Sequence, residues 1–571
     1  MWSKTRRRNL NSNPILRFYM LGMSMAFCLF LIRPPAEAQS ASIPPTEMPN
    51  ASYKIAGTVV SKADGHLLAR ARITLRDAKN SQKFESIITA DDGRFEFSSV
   101  PAGKYSLSGA KRGFISSAYD QHDQYSTAIV TGAGLDTETL VLRLAPDAVI
   151  AGKVLDEFGE PVRRAQVTLY YNDHSSGVDR VRHYRSAQTD DLGEYEMTPL
   201  MPGTYFLSVT SKPWYAVHPH SDPAQESERQ AETMESVDRS LDVAYPVTYF
   251  PDMTGADDAQ PIPIRGGERL QVDFHLSPVP SLRLLFRVPT DSNGGFSFPQ
   301  LEQPAFDGFT SVQAGMTRRL SSGLVELTGV PAGHYTVRFF GQGQSLQMDG
   351  VDLTKDGEEV DATKSEALST IKVSVQILGE ATLPPQLTVG LRSGNREIAS
   401  SASQVDSKGT AELQQVTVGR HEVAVWGGGK PYSIARMSAE GAEVSGHTLT
   451  VAAGSSPSVS LVLVSGSVEI EGIATRAGKG FAGAMVVLVP KNPELNHDLF
   501  RRDQSDLDGT FVLHGVVPGS YTILAIENGW DLDWSQPGVI AAYSKRGHTI
   551  DLTNQNGRPL NIVEPIEVQS K

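Results

Sequence analysis

Cysteine is nearly missing from this chain: Cys28 is the only one in 571 residues, and it lies within an amino-terminal apolar run. That run, Phe18 to Ile32, follows Lys4, Arg6, Arg7 and Arg8 and precedes Ala36-Glu37-Ala38, the layout of a secretory signal peptide cut after Ala38. It falls short of the about 20 residues that a membrane-crossing helix needs, and Pro34-Pro35 come directly after it. Export is therefore expected, with no stable membrane insertion after cleavage. Periplasm, cell surface and medium stay open as destinations. Met25-Ala26-Phe27 lack the small residue expected ahead of a lipidated cysteine. The exported chain would carry no thiol, which excludes disulfides, thiolate metal sites and cysteine nucleophiles together.

Positive charge is also in deficit. Lys and Arg number 52 against 65 Asp and Glu, a net charge of −13, and loss of residues 1–38, with six basic and one acidic side chain, takes it to −18. A field of that sign repels phosphate backbones, so no nucleic-acid partner is expected. Catalytic signatures are absent from the sequence as well. None of the 13 histidines opens an H-x-x-E or H-E-x-x-H pattern, and neither G-x-S-x-G nor G-x-x-x-x-G-K occurs. No enzymatic role, catalytic residue, metal site or cofactor is expected.

Glycine, by contrast, is plentiful and ordered. Five times a glycine is followed by another ten residues on: Gly93 and Gly103, Gly193 and Gly203, Gly323 and Gly333, Gly409 and Gly419, Gly509 and Gly519. After each first glycine the chain alternates apolar, polar, apolar, as in Phe95-Glu96-Phe97, Tyr195-Glu196-Met197 and Phe511-Val512-Leu513. After each second glycine the alternation returns, led by Tyr105, Tyr205, Tyr335, His421 and Tyr521. Period-two alternation marks half-buried strands. The first glycine of each pair is read as a hairpin turn needing positive φ, and the second as a reversal after a proline-bearing loop such as Val100-Pro101-Ala102-Gly103.

These repeats divide the chain. Residues 1–38 are read as the signal peptide, 39–52 as a linker, and 53–146, 147–280, 281–366, 367–465 and 466–571 as five β-sandwiches. The expected fold is all-β, a tandem array of about five antiparallel sandwiches, transthyretin-like or immunoglobulin-like. One short helical insertion is expected near 222–241, where Asp222 caps, Pro223 starts the helix, and Ala224, Ala231, Met234, Val237 and Leu241 form a narrow apolar stripe.

Gly57-Thr58-Val59, Ala71-Arg72-Ile73-Thr74-Leu75, Asp91-Asp92-Gly93-Arg94-Phe95 and Val100-Pro101-Ala102-Gly103-Lys104-Tyr105 together resemble the carboxypeptidase regulatory-like domain family. The same elements recur as Asp190-Asp191-Leu192-Gly193 with Pro202-Gly203-Thr204-Tyr205, and as Asp506-Leu507-Asp508-Gly509 with Val517-Pro518-Gly519-Ser520-Tyr521. The resemblance implies a transthyretin-like seven-stranded sandwich, related to Cna B-type modules. In carboxypeptidases this module accompanies a separate zinc peptidase domain, and the sequence shows no such domain. Cna B-type modules can carry a Lys-Asn or Lys-Asp bond; Lys62 stands where that lysine would, but its counterpart in the second copy is Glu157.

Function must then lie where the copies differ. Trp214 and Tyr215, Tyr249, and the run Trp530-Asp531-Leu532-Asp533-Trp534 place aromatic rings beside carboxylates, a combination that holds sugar rings by stacking and hydroxyl hydrogen bonds. The alternative is that these rings bury area inside the protein. His218-Pro219-His220 with Asp222 is too sparse for a metal centre, and two carboxylates on a hairpin offer too few oxygens for calcium. The expected function is a secreted or periplasmic binding protein for carbohydrate or a cell-envelope component. A structural or adhesive spacer, and an accessory subunit of a separately encoded peptidase or outer-membrane transporter, are the alternatives. Oligomeric state is not legible.

Overall fold

The computed structural model describes residues 52–571 except 133, 220–237, 289–297, 322, 341–345, 365, 381, 394–400, 428, 430, 467, 495 and 554–557. The signal peptide, nearly all of the linker and most of the expected helical insertion lie outside the described residues. At the end of that insertion Asp238 accepts from the Ser240 amide at 2.9 Å and caps a single 3-10 turn, Arg239–Leu241.

Strand alternation builds the fold. In Arg94–Val100 the side chains of Phe95 and Phe97 are buried while Glu96 is exposed, and in Glu194–Leu200 Tyr195 and Met197 are buried around an exposed Glu196. Each such strand gives one face to a core. Five large cores result, drawn from 55–144, 148–276, 282–362, 371–463 and 468–568. In the first, Tyr53–Ser61 lies between Arg94–Val100 and Leu140–Leu144, and the facing sheet runs Phe84–Ile88, Arg72–Asp77, Gly103–Ala110, Ser117–Ala118, with Ile129–Thr131 also on Gly103–Ala110.

The sandwiches are not purely antiparallel. Tyr53–Ser61 pairs in parallel with Leu140–Leu144, Ala148–Leu155 with Arg269–Gln271, Val279–Arg287 with Glu358–Asp361, and Ser369–Ile377 with Ser458–Ser465. The closing strand of each unit thus runs alongside its opening strand in the same direction. A hairpin cannot make that pairing; it needs a crossover between the sheets. In the fifth sandwich the closing strand, Ile566–Ser570, pairs in parallel with both Val468–Arg476 and Ser520–Glu527, linking the two layers into one nine-stranded sheet.

The glycines have two distinct tasks. Gly93 has φ +69° and turns its hairpin as expected, and the first glycine of every pair shares that left-handed conformation. Among the second glycines only Gly419 does, so Gly103, Gly203, Gly333 and Gly519 stand at or next to their strand starts without a left-handed backbone. At Gly203 the ring nearest to an added Cβ is Tyr171, at 3.1 Å, whereas the tyrosine two residues on folds back over Gly333 and Gly519, where a Cβ would meet its ring at 3.2 and 3.3 Å. The phenol then donates to the carbonyl four residues before it, Tyr335 to Pro331 at 2.6 Å, Tyr521 to Val517 at 2.7 Å and Tyr205 to Met201 at 2.8 Å. His421 makes the same bond to Thr417 through Nε2, at 2.7 Å. This is a tyrosine corner, repeated along the chain.

The opening glycines of the first, second and fifth units answer to their cross-strand partners. A Cβ on Gly472 would lie 2.5 Å from Phe511 Cζ, one on Gly152 1.7 Å from the Val272 carbonyl oxygen and 2.9 Å from Tyr195 Cε1, and one on Gly57 2.0 Å from the Leu140 carbonyl oxygen. In the third and fourth units the facing residue is Val325 or Ala411, and the glycine is replaced by Phe286 or Val373. Bulk has changed sides.

The carboxy-terminal unit has one element that the sequence reading did not place, the helix Pro537–Ser544, with proline in its first turn and Ile540 buried. Ile540 joins a second apolar layer with Met485, Val487, Val489, Leu524, Ile526 and Trp534, so Met485–Pro490 is buried on both faces. A continuous apolar run is the signature of such a strand.

Candidate functional site

Sequence-distant units meet at one place. The fifth sandwich packs on the first through its own first-glycine hairpin, where Asp506 accepts from Lys104 Nζ at 2.7 Å and from the Ala128 amide at 3.0 Å. Lys104 also donates to Thr510 Oγ1 at 2.6 Å, and the Leu507 amide donates to the Ala128 carbonyl at 3.0 Å. Leu507 packs against the first core, whereas its counterpart in the second unit is the exposed Asp191. Gln504 donates from Nε2 to the Asp120 carbonyl at 2.6 Å and to Thr127 Oγ1 at 2.8 Å.

Aromatic side chains fill the rest of this junction. Trp530 stacks on His122 with centroids 5.1 Å apart and planes 5° from parallel, and the His122 ring nitrogen donates to Gln504 Oε1 at 3.1 Å. The Arg502 guanidinium lies 4.2 Å above the Trp534 ring and 5.3 Å from that of Tyr125. It also pairs with Asp123 at 3.3 Å and donates to the Ser175 carbonyl of the second unit at 3.0 Å. Gly177, at φ +81°, lets the second unit approach: a Cβ there would lie 2.5 Å from Trp534. His174 donates from Nε2 to the Leu532 carbonyl at 2.7 Å and meets Asp179 through Nδ1 at 2.8 Å.

The electrostatics follow from burial and pairing. Burial pushes the Asp506 carboxyl up against the opposing pull of Lys104. Burial raises Asp503 to about 6, although it accepts from the Val512 amide at 2.7 Å. For His174 burial works against the charge, but the Leu532 carbonyl and Asp179 outweigh it and hold the imidazole above its ordinary value.

The sequence-flagged aromatics divide into two groups. Trp530 and Trp534 belong to this junction, and Trp534 is 7% exposed, so its ring offers no platform to a ligand. Asp531 is exposed and tied to Lys571 at 2.5 Å, and Asp533 accepts from Gln536 Nε2 at 2.9 Å. Tyr249 is fully buried between the second and third units, edge-on to Phe306 with centroids 5.8 Å apart. Burial of ring area has won at all three rings. Trp214 alone of the five flagged rings stands in solvent, 85% exposed and edge-on to Tyr215. The Tyr215 and Tyr245 hydroxyls both donate to the Glu157 carboxylate, the second at 2.9 Å, and Tyr215 is pushed up to about 12 by burial and by that carboxylate.

The remaining sequence candidates serve turns and joints. Asp190 Oδ1 accepts from the Leu192 and Glu194 amides, both at 2.9 Å, and Asp406 Oδ1 from Lys408 and Thr410 at 2.9 and 2.8 Å. These are turn-closing bonds. His218 meets Asp242 at 2.9 Å beside Ser281, joining the second unit to the third, and His220 and Asp222 lie outside the described residues. Among the described residues no group of three His, Cys, Asp or Glu side chains is arranged to hold a metal. Among them, too, no helix is long and apolar enough to cross a membrane.

Beside the junction a cleft of about 800 Å³ opens between the first and second units. One wall is the loop around Tyr119–Asp123, whose other side His122 fastens to the fifth unit. The base is closed where Gly266 meets Pro146 and Pro202: a Cβ there would lie 3.0 Å from the Pro146 carbonyl oxygen. Sequence reasoning missed this cleft and the junction residues Lys104, His122, His174 and Arg502. Their signal was faint: Arg501-Arg502-Asp503 put three charges in a row, but the matching strands of the second and third units also carry arginines, Arg180, Arg182 and Arg185 in one and Arg318 and Arg319 in the other.

The sheets and cores define the class, an all-β protein of tandem β-sandwiches. Within it, residues 54–140 match the family model of the carboxypeptidase regulatory-like domain. No curated protein matches the sequence. Similar solved structures include the Bacillus anthracis TIE protein, at 11% identity over 73% of this chain and 75% of that one, with a TM-score of 0.17. A Streptococcal ancillary pilin is 13% identical over 55% of this chain and 98% of its own, with a TM-score of 0.20. The shaft pilin SpaA from Lactobacillus rhamnosus GG is 9% identical over 40% and 98%, with a TM-score of 0.19.

Proposed function

We propose that this chain is an exported, non-enzymatic binding protein for carbohydrate or another cell-envelope component, its sandwiches held as one closed assembly. The observation that carries this reading is the junction of the fifth unit with the first two. A spacer whose length is its function gains nothing from fastening its last unit to its first, whereas a binding protein gains fixed clefts between units. The amino-terminal signal pattern supports export, and the family match to a module that is regulatory in name supports a non-catalytic role. The test is co-sedimentation of the chain from residue 39 onward with isolated cell-envelope material, alongside small-angle scattering of the free protein. Saturable retention with a compact particle is expected. No saturable retention, or a particle as long as five sandwiches end to end, sinks the proposal.

A further inference from the structure

We propose that the cleft between the first and second sandwiches binds an acidic glycan segment, a short run of sugars bearing carboxylates. This rests on the reading above that the chain binds envelope components, and it names the place and the chemistry. At about 800 Å³ the cleft falls inside the roughly 300–1,000 Å³ common for ligand sites.

Its charge runs against that of the chain. Lys62, Arg143 and Arg265 line it, all three exposed, in a protein of net charge −13. Several exposed cations elsewhere have acquired carboxylate partners: Lys54 with Glu96, Lys153 with Glu194, Arg269 with Glu196 and Arg287 with Glu359. The three cleft cations have no such ion pair among the described residues. Two acids share the lining, and one of them, Asp123, is matched to Arg502. Three cations therefore face one unmatched carboxylate, Asp120, and the complement is an anion with spaced charges.

The uncharged lining favours sugars over an acidic peptide. Ser116, Ser117 and Gln121 bring hydroxyl and amide groups, next to the rings of Tyr119 and Tyr171. Arg143 alternates with the buried Leu142 and Leu144, so the strand Leu140–Leu144, the edge of its sheet, turns the side chains of Val141 and Arg143 to the cleft. A polyhydroxylated chain would find side-chain partners there. The wall around His122 is fixed from behind by Trp530, so the cleft exists in its present shape before a ligand arrives.

Titration calorimetry on the chain from residue 39 onward decides the matter, with oligogalacturonate as the acidic glycan, dextran as the neutral one and polyglutamate as the acidic peptide. Oligogalacturonate is expected to bind, more weakly as salt is added, and dextran is not. Lys62→Gln and Arg143→Gln are each expected to weaken binding about two- to fivefold, and the double variant more. Arg72→Gln, outside the cleft, leaves affinity unchanged. All these positions are exposed, and coincident thermal melts verify folding. Oligogalacturonate affinity unmoved by the double variant overturns the inference, as does polyglutamate binding equally tightly and weakening in the same variants. Retention by envelope material without oligogalacturonate binding overturns the cleft's assignment and leaves the broader reading standing; loss of both removes both.

Discussion

Replacing Arg502 by methionine keeps the bulk of the side chain and removes its charge at the point where three units meet. The guanidinium lies 4.2 Å above Trp534 with its side chain 7% exposed, a desolvated geometry in which a cation–π contact contributes about 2 kcal/mol. Its bond to the Ser175 carbonyl, on the exposed side, adds about 1 kcal/mol. The pairing with Asp123 adds less than about 1 kcal/mol, because that carboxylate remains partly in water. Against these stands the cost of keeping a cation out of water, which methionine does not incur. The net loss expected is about 2–3 kcal/mol of junction stability, a change of about 30- to 150-fold in the docked to undocked ratio. Trp530 and Trp534 report on it directly. In the chain from residue 39 onward, which lacks Trp2, with Trp214→Phe and Trp426→Phe their fluorescence should red-shift at lower urea in Arg502→Met than in its parent, and small-angle scattering should register a larger particle at the same urea. A midpoint shift worth less than about 0.5 kcal/mol would refute the account of Arg502 as the central contact.

Three further outcomes are expected. Trp534→Ala should destabilise the carboxy-terminal unit by about 3–5 kcal/mol, while Trp214→Ala stays within about 0.5 kcal/mol, both read by thermal unfolding; equal effects would contradict their difference in burial. Tyr335→Phe leaves the Pro331 carbonyl without its phenol and should cost about 1 kcal/mol in urea unfolding of the third unit. Asp503 titrates at about 6 when folded against an ordinary 3.8, so the folded state holds the extra proton between those values and this group's stabilisation is lost as pH rises from about 4 to 6. Asp503→Asn should remove that part of the pH slope of the melting temperature, and an unchanged slope would mean that the carboxyl is not desolvated.

How much of this was legible in the sequence depends on how local the cause was. The first glycine of each pair could be placed because positive φ is a property of one residue, and Phe95, Tyr195 and Phe511 fall on the core because alternation is a property of three. The corner tyrosines were visible as a pattern, but their bond to a carbonyl four residues back was not, because it joins a side chain to the backbone of the loop before it. Strand direction is invisible to period-two alternation, hence the unexpected parallel pairs. The junction was beyond reach for another reason. Lys104 and Asp506 lie 402 residues apart, and each alone reads as an ordinary surface charge. Trp530 and Trp534 did stand out, but rings flanked by acids suit an internal joint as well as a sugar, and composition cannot choose between them.

The parallel pairing of first and last strands has a mechanical consequence. In the opening unit Gly57 faces Leu140 and Ser61 faces Leu144, so the chain enters at one end of this ladder and leaves at the other. Tension along the polypeptide therefore slides the two strands past each other and strains every rung at once, instead of peeling rungs open one by one. The slanted, evenly spaced bonds of a parallel pair share such a pull along their whole length. Resistance to shear is thus written into four successive units at the same place.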